Sequence, residues 1–233
     1  MSGCLHESPS VDGFCDHNGA MGPSDEAGDA SAGEGGLWPS IRMRDGGRRM
    51  TYLALLRGIN VGGKRKVSMD ALAEVFAESG CTDVETFIQS GNVLFDSAKS
   101  SPQELSAVLE SGIEKRFGFP VPVVLRTKEQ LRLVLCDNPF RVSDDDDSPL
   151  HVLFLKGVPP PENAGRLDPE RSDRDAFVLR GQEVYLRLPD GGARTRLTTA
   201  YFDTTLGVAG TMRNWRTASR LLELMQQRIP ANG

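Results

Sequence analysis

From Met50 to Arg126, short apolar runs and amphipathic stripes alternate in the order β-α-β-β-α-β. Tyr52-Leu53-Ala54-Leu55-Leu56 is continuously apolar, far short of the roughly 20 residues a membrane helix needs, and predicts a strand covered on both faces. A glycine-rich loop over residues 58–66 follows. Ser68 then opens a helix with Met69, Leu72, Val75 and Phe76 at helical spacing and Gly80 as its stop. Residues 84–89 and 92–96 are β-rich and joined by Ser90-Gly91, the pattern of a tight hairpin. Pro102 suits a helix start, Leu105, Val108, Leu109, Ile113 and Phe117 line one stripe, and residues 121–126 supply a further strand. This is the split βαβ, ferredoxin-like arrangement of an α+β fold, with an antiparallel sheet and helices on one face.

The pattern partly recurs. Residues 128–136 carry helical spacing, 151–155 a buried strand, and 177–180 with 183–188 a hairpin across Gly181-Gln182. Residues 197–206 and 214–227 are expected to be helical, the last placing Ala218, Leu221, Leu222 and Met225 on one side. The expected organisation is a ferredoxin-like subdomain over 50–127, a second α+β subdomain over 128–227, and a flexible end over 228–233.

Residues 1–49 are set apart by composition. Residues 1–40 are dense in Gly, Ser, Asp and Ala without apolar periodicity, so they cannot bury enough surface to offset ordering entropy and are expected to be disordered. The alternative is a non-native N-terminal extension over 1–49, with Met50 as the native start. Gly46-Gly47-Arg48-Arg49 is what a purine-rich ribosome-binding site encodes when translated. Cys4, His6, Cys15 and His17 have no surrounding pattern that would orient metal ligands, and no metal is expected. This segment carries eight of the 32 acids and four of the 27 bases, leaving 24 acids and 23 bases in a nearly neutral fold. That balance does not require nucleic acid, but it permits an anionic ligand. The four cysteines form no C-x-x-C pair, and no secretory or membrane-spanning segment is evident, so a cytoplasmic location is expected.

Three segments differ from ordinary core sequence: Leu56-Arg57-Gly58-Ile59-Asn60-Val61-Gly62-Gly63-Lys64, Gln89-Ser90-Gly91-Asn92-Val93, and Thr211-Met212-Arg213-Asn214-Trp215-Arg216-Thr217. In this order and spacing they resemble the bacterial family known as domain of unknown function 1697. The resemblance implies tandem ferredoxin-like subdomains and assigns no cofactor or reaction.

The first segment matches neither G-x-x-x-x-G-K-[ST] nor G-x-G-x-x-G. Its glycines Gly58, Gly62 and Gly63, with Lys64, Arg65 and Lys66, suit either a plain strand-to-helix turn or backbone recognition of an anion. Gln89 and Asn92 either satisfy the hairpin or direct amides into a pocket beside Asn60. Arg213 and Arg216 have no structural duty evident in the sequence and suit bidentate recognition of phosphate or carboxylate, with Arg220 on the same face. Asn214 or Thr217 is expected to cap the last helix, and Trp215 to anchor packing. His151 at a strand start is expected to be structural, as are Cys81 and Cys136, and Asp144–Asp147 a solvated loop. The leading expectation is a protein, or an enzyme, that binds a small phosphate- or carboxylate-bearing ligand through Arg57, Asn60, Gly62, Gly63, Lys64, Gln89, Asn92, Arg213, Asn214 and Arg216. The alternatives are a single-stranded nucleic-acid module, which its poverty in surface aromatics disfavours, and an interaction module centred on an exposed Trp215.

Overall fold

The computed structural model describes residues 49–63, 65–99, 101–141 and 147–228. Expectations for residues 1–48, Lys64, Asp144–Asp146 and the last five residues lie outside that range.

The first half follows the sequence closely. β1 (Met50–Leu56) leads through the glycine loop to α1 (Met69–Glu78), then β2 (Thr82–Phe87), β3 (Asn92–Ser97), α2 (Pro102–Phe117) and β4 (Val123–Thr127). Ser68 caps α1 through the amide of Ala71. Its C-terminus closes with Cys81 and Gly80 amides donating to the carbonyls of Phe76 and Ala77, a reversal that Gly80 permits at φ +88°. The strands order as β2-β3-β1-β4, all antiparallel, which is the ferredoxin-like sheet. α3 (Lys128–Cys136) then starts directly from β4, with a capping box between Thr127 and Gln130.

The second half repeats this plan more fully than periodicity suggests. β5 (Leu150–Leu155), the short α4 (Pro161–Ala164), β6 (Ala176–Arg180), β7 (Glu183–Arg187), α5 (Thr199–Leu206) and β8 (Gly210–Asn214) form a sheet ordered β6-β7-β5-β8. α6 (Trp215–Gln227) leaves β8 as α3 leaves β4. Two features were not expected. Residues 210–214 form a strand, and residues 161–164 supply a turn of helix where only prolines and charge were visible.

The strand faces sort into three cores. Tyr52, Ala54, Leu56, Val93 and Phe95 face α1 and α2. Leu153, Leu155, Val184 and Leu186 face Phe202 and Leu206 of α5. Between the sheets, Leu53, Leu55, Leu94 and Val124 meet Val152, Phe154 and Tyr185, together with Leu131 and Val134 of α3 and Trp215, Ala218, Leu221 and Met225 of α6. The face that a lone ferredoxin-like sheet leaves open is therefore covered by the other half, which explains why β1 and β5 are apolar on both sides. At about 1.5–3 kcal/mol for each large apolar side chain buried, this shared layer binds the halves into one folded unit.

Candidate functional site

Strand register relates the halves residue by residue. Leu55 pairs with Asn92 and Val124, while Phe154 pairs with Glu183 and Thr211. Asn92 therefore corresponds to Glu183, Leu94 to Tyr185, and Arg126 to Arg213. Each arginine is the residue before a helix cap, Thr127 or Asn214.

Each arginine reaches into the opposite half at the equivalent place. Arg126 donates from Nε to Glu183 (2.9 Å), from Nη1 to the Leu125 carbonyl (2.8 Å), and from Nη2 to the carbonyls of Leu155 (2.8 Å) and Gln182 (3.2 Å). Arg213 donates from Nε to Asn92 Oδ1 (2.7 Å) and from Nη1 to Thr211 Oγ1 (2.7 Å) and the Met212 carbonyl (2.9 Å). Its Nη2 donates to the carbonyls of Leu56 (2.9 Å), Ser90 (3.1 Å) and Gly91 (3.3 Å). The expectation that Arg213 lacks a structural duty is thus corrected: it clamps β1 and the β2–β3 hairpin to β8. For Asn92, the first of the two alternatives, satisfying the hairpin, is the one observed. It is fully buried and spends its Nδ2 on the Phe87 carbonyl and Ser90 Oγ rather than entering a pocket.

The two clamps differ in charge. Burial pushes Arg126 below its ordinary value, and the Glu183 carboxylate pulls it back. Burial alone pushes Arg213 down to about 10, with a neutral amide standing where Glu183 stands in the other half. At neutral pH the Arg213 junction therefore holds a partly buried cation that pairs with no carboxylate among the described residues.

The glycine loop and the β2–β3 hairpin are joined beside this cation. Asn60, at φ +55°, donates from Nδ2 to the carbonyls of Val67 (3.0 Å) and Gln89 (3.0 Å), and its Oδ1 accepts from the Val67 amide (2.8 Å). Its side chain thus closes the loop on itself and onto the hairpin. Gly62 and Gly63 sit at φ +59° and +74°, exposed, with open space at each Cβ position. Neither amide is donated to a described residue. Arg65 lies over the Phe119 ring at 5.7 Å, and Arg57 pairs with Asp203 of α5. Arg216, exposed just inside α6, makes no ion pair with a described residue. Among the described residues, Arg57, Arg65, Arg213, Arg216 and Asp203 frame this end of the molecule. Ile88 adds an unusual feature, a β-branched residue at φ +49° and 51 % exposed.

The profile of the family described as a protein of unknown function, DUF1697, matches residues 50–185. The chain belongs to the DUF1697 family. Its fold is similar to that of a conserved bacterial protein from Streptococcus pneumoniae, with a TM-score of 0.60 and 24 % identity over 77 % of this chain and 99 % of that one. No curated protein is detectably similar to it.

Within this DUF1697 chain, Arg57, Asn60, Gly62, Gly63, Asn92 and Arg213 gather at one end of the inter-half seam, with Arg216 on the adjoining first turn of α6. Gln89 joins through its backbone carbonyl. Asn214, not Thr217, caps α6, accepting from the Thr217 amide at 2.8 Å. Arg220 turns to Glu223 instead. Trp215 is 2 % exposed and packs in the central core, which removes the expected interaction hot spot. His151 contacts the Pro149 carbonyl through Nδ1, and burial lowers its pKa. Cys81 is buried, its thiol pushed up to about 11, while Cys136 ends α3 at the surface. Asp147 lies 4.0 Å from Arg141. No His, Cys, Asp and Glu cluster suited to a metal occurs among the described residues, and no described helix is long and apolar enough to cross a membrane.

Sequence reasoning passed over Arg126, Asp203 and Tyr185. Arg126 carried one signal, its place immediately before a helix-capping residue, as with Arg213. Two clefts lie at the Arg126 junction.

Proposed function

We propose that this protein binds a small anion, a phosphate- or carboxylate-bearing molecule, on the surface formed by the glycine loop, the β2–β3 hairpin and the start of α6. One observation carries the reading: Arg213 is a partly buried cation that pairs with no carboxylate among the described residues, whereas its counterpart Arg126 has Glu183. A bound anion supplies the missing countercharge. Gly62 and Gly63 offer amides in a left-handed backbone suited to close approach, and Arg216 on the first turn of α6 offers a guanidinium with no ion pair to a described residue. Arg213 acts here through its field and by holding the hairpin, since its donors are already engaged. Arg57 orients the site from the side through Asp203.

The nucleic-acid reading is weaker, because both faces of the central strands β1 and β5 are packed into the cores and offer no platform on which bases could stack. Thermal-shift titration with pyrophosphate against chloride at equal ionic strength tests the anion reading. Saturable stabilisation is expected, about 2.7 kcal/mol at a hundredfold excess over Kd. Asn92→Asp, which installs the carboxylate that Arg126 already has, should abolish it. Equal responses to chloride and pyrophosphate, or an unchanged response in Asn92→Asp, would exclude the site.

A further inference from the structure

The outer strand of a sheet leaves backbone donors and acceptors open to pairing with another chain, and proteins block such edges with bulges and charged side chains. The two sheets end in β2 and β4, and in β6 and β8. On β4 the Val123 amide donates to Glu110 of α2 (2.8 Å), and the Leu125 carbonyl accepts from Arg126 Nη1 (2.8 Å). β8 is closed in the same way. Its Gly210 amide donates to Asp203 of α5 (2.9 Å), and its Met212 carbonyl accepts from Arg213 Nη1 (2.9 Å). β2 is interrupted by a shift of register between Thr82 and Glu85, with Asp83 at φ +50° and its carbonyl accepting from Arg228 Nη2.

β6 has none of these devices. It pairs with β7 without a break, from Ala176↔Arg187 to Arg180↔Glu183. Gly181 and Gln182 alone turn the hairpin, so its closing pair is hydrogen-bonded and the pairs alternate from there. Arg180, Val178 and Ala176 therefore bond to β7, while the N–H and C=O groups of Phe177 and Leu179 point away from the sheet. These four groups bond to no described residue. No proline, glycine or charge interrupts Ala176-Phe177-Val178-Leu179, and Arg180 turns aside to the Asp137 carbonyl (2.8 Å). Phe177 and Leu179 are half-buried against the α5 core, and Val178 is half-buried on the opposite face.

We propose that β6 docks a second copy of this chain, the two β6 strands running antiparallel about a twofold axis at Val178. In that register Phe177 faces Leu179 of the second copy, and all four open backbone groups of each strand are paired. Phe177 and Leu179 then meet twice on one face, and the two Val178 side chains meet on the other. Ala176 stands opposite Arg180 and Asp175 opposite Gly181, so no like charges face one another. β6 is thus complementary to itself, in hydrogen bonds and in side chains. It shares no residue with the anion surface, so the two readings stand or fall separately. Sedimentation velocity of the full chain over a range of concentrations tests the docking. A reversible monomer–dimer equilibrium is expected, since a single short strand pair makes a small interface. Val178→Lys sets two like charges across the axis and should keep the chain monomeric at every concentration, whereas Val178→Thr should dimerise like the parent. In the parent, hydrogen exchange at the Phe177 and Leu179 amides should slow as concentration rises, and this measurement decides alone if Val178→Lys fails to fold. A chain that stays monomeric throughout, a folded Val178→Lys that still dimerises, or exchange at these two amides that ignores concentration would overturn the proposal.

Discussion

Ile88 and Arg213 show how differently two residues can depend on what surrounds them. Ile88 holds φ +49°, where its Cβ meets the backbone, and the side chain gains little burial in return at 51 % exposure. Replacing it with glycine removes that strain at the cost of some chain entropy, so Ile88→Gly should stabilise the fold by about 0.5–1 kcal/mol in urea unfolding. His151 carries a pH effect of known sign. Burial holds it below 6.5 in the folded protein, so the unfolded chain takes up the proton first. Stability is complete above about pH 6.5 and declines as pH falls through the folded value. His151→Gln should flatten that decline when urea midpoints at pH 7 and pH 5 are compared. Neither residue's state could be read from sequence, since φ and burial are set by the hairpin and sheet around them. The structural duty of Arg213, clamping the hairpin and β1 to β8, was not legible in the sequence. Its main partners lie 121 and 157 residues away, and no local pattern encodes them.

At the scale of elements, the first half was legible because each element carries its own punctuation: Ser68 and Gly80 around α1, Pro102 and Gly118 around α2, Ser90-Gly91 between β2 and β3. β8 was missed because Gly-Thr-Met-Arg-Asn has no alternation, and its strand state comes from pairing with β5. The β2–β3 turn is pinned by close packing against β1. A Cβ at Gly91, already at φ +77°, would come within 2.8 Å of Leu56 Cβ and 2.9 Å of Ile59 Cδ1. Gly91→Ala should therefore cost about 2–4 kcal/mol in chemical unfolding, from overpacking together with the left-handed backbone. α6 depends on the shared core through Trp215, and Trp215→Ala should cost about 3–5 kcal/mol by the same measurement.

For the whole molecule, the sequence indicated two related halves, and the strand registers resolve them into two βαββαβ units, each with a following helix. Their shared layer buries Leu53, Leu55, Leu94, Val152 and Phe154 completely or almost so. Neither half can lose its partner without exposing that face. The fold should unfold in one step, with calorimetric and van't Hoff enthalpies equal, and two separable transitions would contradict the shared core. The same symmetry sets Asn92 against Glu183 beside the two equivalent arginines, and that difference in charge supports the anion surface. A pyrophosphate titration followed by ¹⁵N NMR addresses this most directly. The amides of Gly62 and Gly63 and the Nε–H of Arg213 should shift together and saturate at one ligand concentration. Shifts that are absent, or that follow ionic strength alone, would contradict it.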